Sequence, residues 1–250
     1  MISTSSTRAA SKQCLLLLLA LLFSTSGVVA NPQDLVDQGQ RAFQNGAFSE
    51  AATDWKKAAE TFRSQGNTNA EIQTSLLLAT AYQAIGQQRR AVQILEEVLA
   101  HAESAGDRSR INLVKSKLGA ALLLTLDTDR SASLLREALE TARADKDSRL
   151  TAAVLNDLGN LLATEQKHTE ALTAYGESVA LARQTTDTRL TAQALCNGAA
   201  TAARAREFQK ADDLNTQGLQ TIAVLGDSYQ KAFLFLTAGQ TDRQIKYSAF

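Results

Sequence analysis

Small and apolar positions return along this chain at a fixed interval of forty residues. Gly39, Ala79, Gly119, Gly159, Ala199 and Gly239 form one series. Ala51, Ala91, Ser131, Ala171 and Ala211 form a second, and Ala58, Val98, Ala138, Ser178 and Gly218 a third. Polar punctuation keeps the same register at Asn67, Asp107, Asp147, Asp187 and Asp227, three of them following Gly66, Gly106 and Gly226. Registers that recur together in this way describe a repeat architecture, in which one unit cannot bury its apolar face alone and must stack on the next.

Inside a unit the spacing is helical on both sides of a short break. Ala79 and Tyr82 lead to a turn at Gly86, after which Ala91, Leu95 and Leu99 follow at four-residue steps. The Gly–Asp pair between units supplies a glycine stop and then an acidic N-cap. A Gly or Ala on the first helix facing an Ala on the second predicts a tightly closed hairpin, with Ala171 against the region of Gly159. Trp55, Leu95, Leu135 and Tyr175 then fill the seam toward the neighbouring hairpin. The units predicted are 33–67, 68–107, 108–147, 148–187 and 188–227, ending in a terminal helix over 228–247.

Composition agrees with an all-α chain. Pro32 is the single proline, so more than two hundred residues follow without a proline break, which a turn-rich β protein would rarely manage. Hydrophobic residues make up 44% and aromatics 5%, so the core is built from small and medium aliphatic side chains.

The first thirty residues are expected to be a signal peptide. Arg8 and Lys12 give a positive start, Cys14 to Phe23 an apolar run too short to anchor in a bilayer, and Val28-Val29-Ala30 a cleavage site after Ala30. That predicts a periplasmic or secreted protein with residues 31–250 as the solenoid and no integral membrane span after cleavage. The segment removes two of the 26 Lys and Arg and none of the 26 Asp and Glu, leaving a net charge of −2. Near-neutral charge without a basic block argues against a nucleic-acid partner. Cys196 alone survives cleavage, so the fold must stand without an internal disulfide.

Gly39, Gly46, Phe48, Ala51, Trp55 and Ala58 resemble the small–turn–aromatic–Ala–aromatic–Ala frame of the tetratricopeptide repeat (TPR), as do Tyr82, Gly86 and Ala91, and Leu158-Gly159 with Ala171 and Tyr175. The usual period is 34 residues with a closing proline. The forty-residue period here resembles the longer-helix subclass that carries Leu-Gly-Asn, present as Leu158-Gly159-Asn160. HEAT and armadillo repeats share the period but lack this frame. The resemblance covers about residues 33–247 and implies a right-handed α-solenoid of about five helix-turn-helix hairpins plus a C-terminal helix. Gly198 and Asn215 in the fifth unit stand where large apolar residues are usual.

In that family the first helix of each hairpin lines a concave groove that takes a peptide. By register, Phe43, Thr80, Gln83, Asn156, Asn160, Thr164, Gln193 and Arg204 face it here, along with Gln40, Gln73, Ser116, Arg243 and Gln244. Most are neutral amides and hydroxyls, able to satisfy a peptide backbone. Asn156, Asn160 and Thr164 are expected to form a continuous, solvent-exposed stripe with little part in folding. The two or three lysines typical of TPR domains that bind a C-terminal carboxylate are missing.

Catalytic and metal residues are expected to be none, and no cofactor is implied. His101 and His168 map to second helices, away from Cys196, so no base stands beside the thiol. No HExxH, CxxC, GxGxxG or P-loop occurs. The expected function is a non-catalytic scaffold for a protein or peptide partner. One alternative is a homo-oligomer formed through the C-terminal helix, where Phe233-Leu234-Phe235-Leu236 is apolar all round. Another is a regulatory module of a larger protein, as the resemblance implies for TPR arrays ahead of caspase-like CHAT protease domains.

Overall fold

The computed structural model describes residues 31–227 and 229–248. The expected signal peptide, 1–30, lies outside them. Eleven helices follow one another among the described residues: α1 (Pro32–Gln44), α2 (Phe48–Ser64), α3 (Thr68–Ala84), α4 (Gln88–Ala105), α5 (Arg108–Leu124), α6 (Thr128–Ala144), α7 (Ser148–Thr164), α8 (His168–Gln184), α9 (Thr188–Arg204), α10 (Phe208–Ala223) and α11 (Tyr229–Ser248). They stack as five antiparallel hairpins and a last helix, an all-α solenoid.

Local chemistry sets the helix ends. The side chains of Asn67, Asp107, Asp147 and Asp187 accept the backbone N–H three residues on, capping α3, α5, α7 and α9. A left-handed residue closes a helix every twenty positions. Gly46, Gly66, Gly86 and Gly106 do so first, and Leu126, Lys146, Gln166, Thr186 and Arg206 take the same conformation afterwards with φ between 55° and 64°. The glycine stops expected from sequence therefore give way, from Leu126 onward, to residues that bear the steric cost of that conformation.

Each hairpin closes by setting a large side chain on a missing Cβ. A Cβ at Gly39 would lie 2.5 Å from Trp55 Nε1, one at Gly119 2.8 Å from Leu135 Cγ, and one at Gly159 2.6 Å from Tyr175 Cε1. The first-helix glycine thus receives the large residue of its own second helix, a contact the sequence reading had given only to the second-helix alanine. That small residue is close by as well: Ser131 Oγ donates to Gly119 O at 2.8 Å. Ala171 is fully buried in a cluster with Leu155, Leu162 and Tyr175. The large residues also reach the next hairpin, Trp55 meeting Leu78 and Ala81, and Leu95 meeting Leu118 and Leu122.

Between hairpins, each second helix packs on the first helix of the next unit, α2 on α3, α4 on α5, α6 on α7 and α8 on α9, and the odd-numbered helices touch one another besides. The pairs α3–α5, α5–α7, α7–α9 and α9–α11 touch, and α11 also meets α1. The odd helices therefore line the inner face and the even helices the outer one, with the last helix reaching across to the first. On α11, Leu234 and Ala238 are buried against Ala192, Cys196 and Ile222. Phe233, Phe235 and Leu236 remain 54%, 42% and 56% exposed.

Candidate peptide-binding groove

The inner stripe of each odd helix follows from its 3.6-residue turn. On α7 it carries Arg149, Ala153, Asp157, Asn160 and Thr164, and on α9 Arg189, Gln193, Asn197, Ala200 and Arg204. These stripes, with those of α1, α3, α5 and α11, enclose a concavity of about 730 Å³. Of the thirteen residues expected from sequence to face the groove, seven line it: Phe43, Thr80, Gln83, Asn160, Thr164, Gln193 and Arg204. Gln40, Gln73, Arg243 and Gln244 are not among its lining residues.

Asn156 does not line it either, and the expectation that it is solvent-exposed is corrected. It is 1% exposed and sits under the groove wall. Its register is that of Ser116 and Cys196, both fully buried where adjacent odd helices meet, so Ser116 is not groove-facing either. Asn156 Oδ1 accepts from Asn197 Nδ2 at 3.0 Å, and the same Asn197 nitrogen donates to Asn160 Oδ1 at 3.1 Å. Asn160 Oδ1 also accepts from Tyr175 Oη at 2.8 Å. Four side chains from α7, α8 and α9 are thus tied into one network. Asn156 and Asn160 are part of the fold, rather than a stripe indifferent to it. Thr164 is exposed, but its hydroxyl donates to Asn160 O at 2.9 Å.

Sequence reasoning missed Tyr175, Asp157 and the apolar lining. Tyr175 belongs to a second helix, yet its ring lies over Gly159 and its tip reaches the groove. Burial pushes its hydroxyl up to about 12, with Thr201 and Arg204 pulling the other way. Burial also raises the Asp157 carboxyl above its ordinary value, against the opposing pull of Lys117 and the bond from Asn156 Nδ2. Ala120, Leu123, Leu124 and Leu126, with Phe43 and Phe233, give the concavity its apolar lining. The forty-residue register could have found Leu123 and Leu124, which stand forty after Gln83 and Ala84.

Outside the groove, Cys196 is buried and its thiol is pushed up to about 11 by loss of solvent, the state of an inert packing residue. His101 Nδ1 lies 2.8 Å from Glu71 Oε1, which also takes Arg63 Nε at 2.6 Å. That buried carboxylate ties α2, α3 and α4 together. Among the described residues no group of three or more His, Cys, Asp or Glu is gathered to hold a metal ion. No described helix is long and apolar enough to cross a membrane.

Residues 151–186, which span α7 and α8, match the sequence model of the tetratricopeptide repeat. No curated protein matches the sequence at a significant level. Among solved structures, BtubC (BKLC) from P. vanneervenii is similar at 20% identity over 88% of this chain and 92% of its own, with a TM-score of 0.60. A Rap protein complexed with competence and sporulation factor is similar at 17% identity and a TM-score of 0.68, over 76% of this chain and 53% of its own. Aspartyl phosphate phosphatase F from Bacillus subtilis is similar at 13% identity and the same TM-score of 0.68, over 94% of this chain and 63% of its own. Against the latter two the chain spans between half and two thirds of the neighbour's length. Backbone and repeat together give the chain the fold of a TPR-like solenoid, with the tetratricopeptide-repeat sequence pattern matched across its fourth hairpin.

Proposed function

We propose that this chain is an exported, non-catalytic scaffold that holds an extended or helical peptide segment of a partner protein in its concave groove. The observation that carries the reading is the convergence of side chains from six odd helices on one concavity with both a polar and an apolar lining. Thr80, Gln83, Asp157, Asn160, Gln193 and Arg204 supply the polar part, and Phe43, Leu123, Leu124 and Phe233 the apolar part. A volume of about 730 Å³ suits a few peptide residues, since ligand pockets run from about 300 to 1,000 Å³. The Rap protein among the structural neighbours was solved with a signalling factor bound, and binding of that kind is carried here as a proposal. Arg8, Lys12, the Cys14–Phe23 run and the small residues before Asn31 support export.

Affinity capture from the exported fraction tests the reading. A partner held by the wild type should be lost by Gln83→Ala/Gln193→Ala and retained by Lys56→Ala, whose side chain is 60% exposed on an even helix. Equal capture by all three proteins would move the function away from the groove. An intact mass that retains residues 1–30 in the exported protein would remove the cleavage step.

A further inference from the structure

A second concavity, of about 470 Å³, opens where the end of α1 approaches the first turns of α7 and α9. Its lining includes Arg149, Arg189, Gln40, Gln44, Thr186 and Thr188. The two arginines are register mates on neighbouring helices, and each begins the inner stripe that continues into the groove through Asp157 and Asn160 on α7 and Gln193 and Arg204 on α9. This concavity is therefore one mouth of the same groove.

Arginines elsewhere show what these two lack. On the even helices, Arg130 bonds Glu96, Arg143 bonds Glu177 and Arg183 bonds Gln217, each to the neighbouring hairpin. Arg149 and Arg189 have no carboxylate partner among the described residues. Asp187, the acid in the same lining, has Oδ1 engaged as the cap of α9, where it accepts Leu190 N at 3.0 Å. The mouth thus presents two guanidinium forks that no carboxylate bonds, beside the capping Asp187 and among amides and hydroxyls that can also donate. Such a set matches a carboxylate, because the planar fork meets two oxygens at once.

We infer that the groove selects a peptide whose acidic group is held at the mouth by Arg149 and Arg189 while its apolar side chains enter the concavity beside Leu123, Leu124 and Phe233. The inference rests on the groove reading above and adds the partner's chemistry to it. The carboxylate is that of an internal Asp or Glu, because the two or three lysines typical of TPR domains that bind a C-terminal carboxylate are missing.

Panning a phage-displayed library of random dodecapeptides on the full chain tests it. Peptides enriched on the wild type should combine Asp or Glu with Leu, Ile or Phe. Remade synthetically, they should bind more weakly as salt is raised, because exposed charge pairs are screened. Replacing their acids by Gln or Asn should weaken binding about tenfold, as expected when charge-assisted hydrogen bonds are lost. Amidating the C-terminus instead should leave binding unchanged, and a loss on amidation would overturn the internal acid as the group held. The double variant Arg149→Gln/Arg189→Gln, changed at exposed positions and checked by its melt, should select apolar peptides without acidic bias. Enrichment on the wild type without acidic bias, or the same bias on the variant, overturns the arginine site and leaves the groove reading standing. Failure of any peptide to be enriched counts against the groove reading itself and takes this inference with it.

Discussion

The groove's polar wall, along α7 and α9, and its apolar wall, made by residues of α1, α5 with its closing turn, and α11, handle their side chains in opposite ways. On the polar wall, groups are engaged with one another: Asn197 Nδ2 donates to both Asn156 and Asn160, and Tyr175 Oη also donates to Asn160 Oδ1. On the apolar wall, groups are left open to solvent, Leu124 at 53%, Leu126 at 77% and Phe233 at 54% exposed. The polar wall is set by the fold's need to satisfy amides at a helix–helix seam, and it arrives at the groove already ordered. The apolar wall still has surface to bury. A partner should draw most of its affinity from the apolar side and its register and selectivity from the ordered polar side.

The largest expected effect lies in the polar network. Asn156→Ala/Asn160→Ala removes every acceptor assigned to Asn197 Nδ2 and Tyr175 Oη. Leaving two such donors unmatched costs about 1–3 kcal/mol each, while better helix propensity returns roughly 0.5 kcal/mol per site. Denaturant melts should show a net loss of about 1–5 kcal/mol. An unchanged midpoint would mean that these asparagines are only a solvated face and that the two walls do not differ.

Next comes the glycine under the same tyrosine. A methyl at Gly159 would stand 2.6 Å from the Tyr175 ring, which must then shift and drag its bond to Asn160. Gly159→Ala should cost about 1–3 kcal/mol as an overpacked seam. Gly176→Ala, with nothing within 4 Å of its Cβ, should instead gain up to about 1 kcal/mol from helix propensity. Equal melts for the two variants would contradict this packing.

Much of this was legible in the residues, and the failures have physical causes. The forty-residue register specified the repeat, composition the all-α class, and the TPR resemblance carried over by that register the inner helices and seven of the groove residues. The register also contained the correct placement of Asn156, because Cys196 stands forty residues later, and a cysteine at that register position points to a buried seam. Residue type displaced register there: an asparagine was placed in water because amides usually are, although a seam that supplies its hydrogen bonds can bury one. Tyr175 was placed by its ring, and a ring says nothing of where its hydroxyl ends. The left-handed turns at Leu126, Lys146, Gln166, Thr186 and Arg206 leave no glycine to detect, since stacking imposes on them a backbone that local preference opposes.

On the apolar wall the expected effect is on binding. Leu124→Ser removes an exposed side chain, so stability should stay within about 0.5 kcal/mol of wild type. Affinity for peptides selected on the wild type should fall about tenfold, the loss of one buried aliphatic contact. Isothermal titration gives both affinity and heat. Unchanged binding would leave the apolar wall without a role.

The smallest effect separates strain from function at Leu126. Its φ of 64° disfavours a branched side chain, and it is 77% exposed, so it contributes little packing to the fold. Leu126→Gly relieves the backbone but gives the unfolded chain more freedom, for a net gain of up to about 1 kcal/mol. Lys146, at φ 56°, closes a helix between hairpins and is not among the residues lining the groove, so Lys146→Gly should gain a similar amount. The two variants should part company in binding. Leu126 lines the groove, and its loss should weaken the selected peptides by a few-fold, whereas Lys146→Gly should leave them untouched. If both variants are stabilised and both bind as wild type does, Leu126 is only a strained turn. If Leu126→Gly alone weakens binding while raising the melt, the chain is holding a strained leucine at the rim of its apolar wall at the expense of stability.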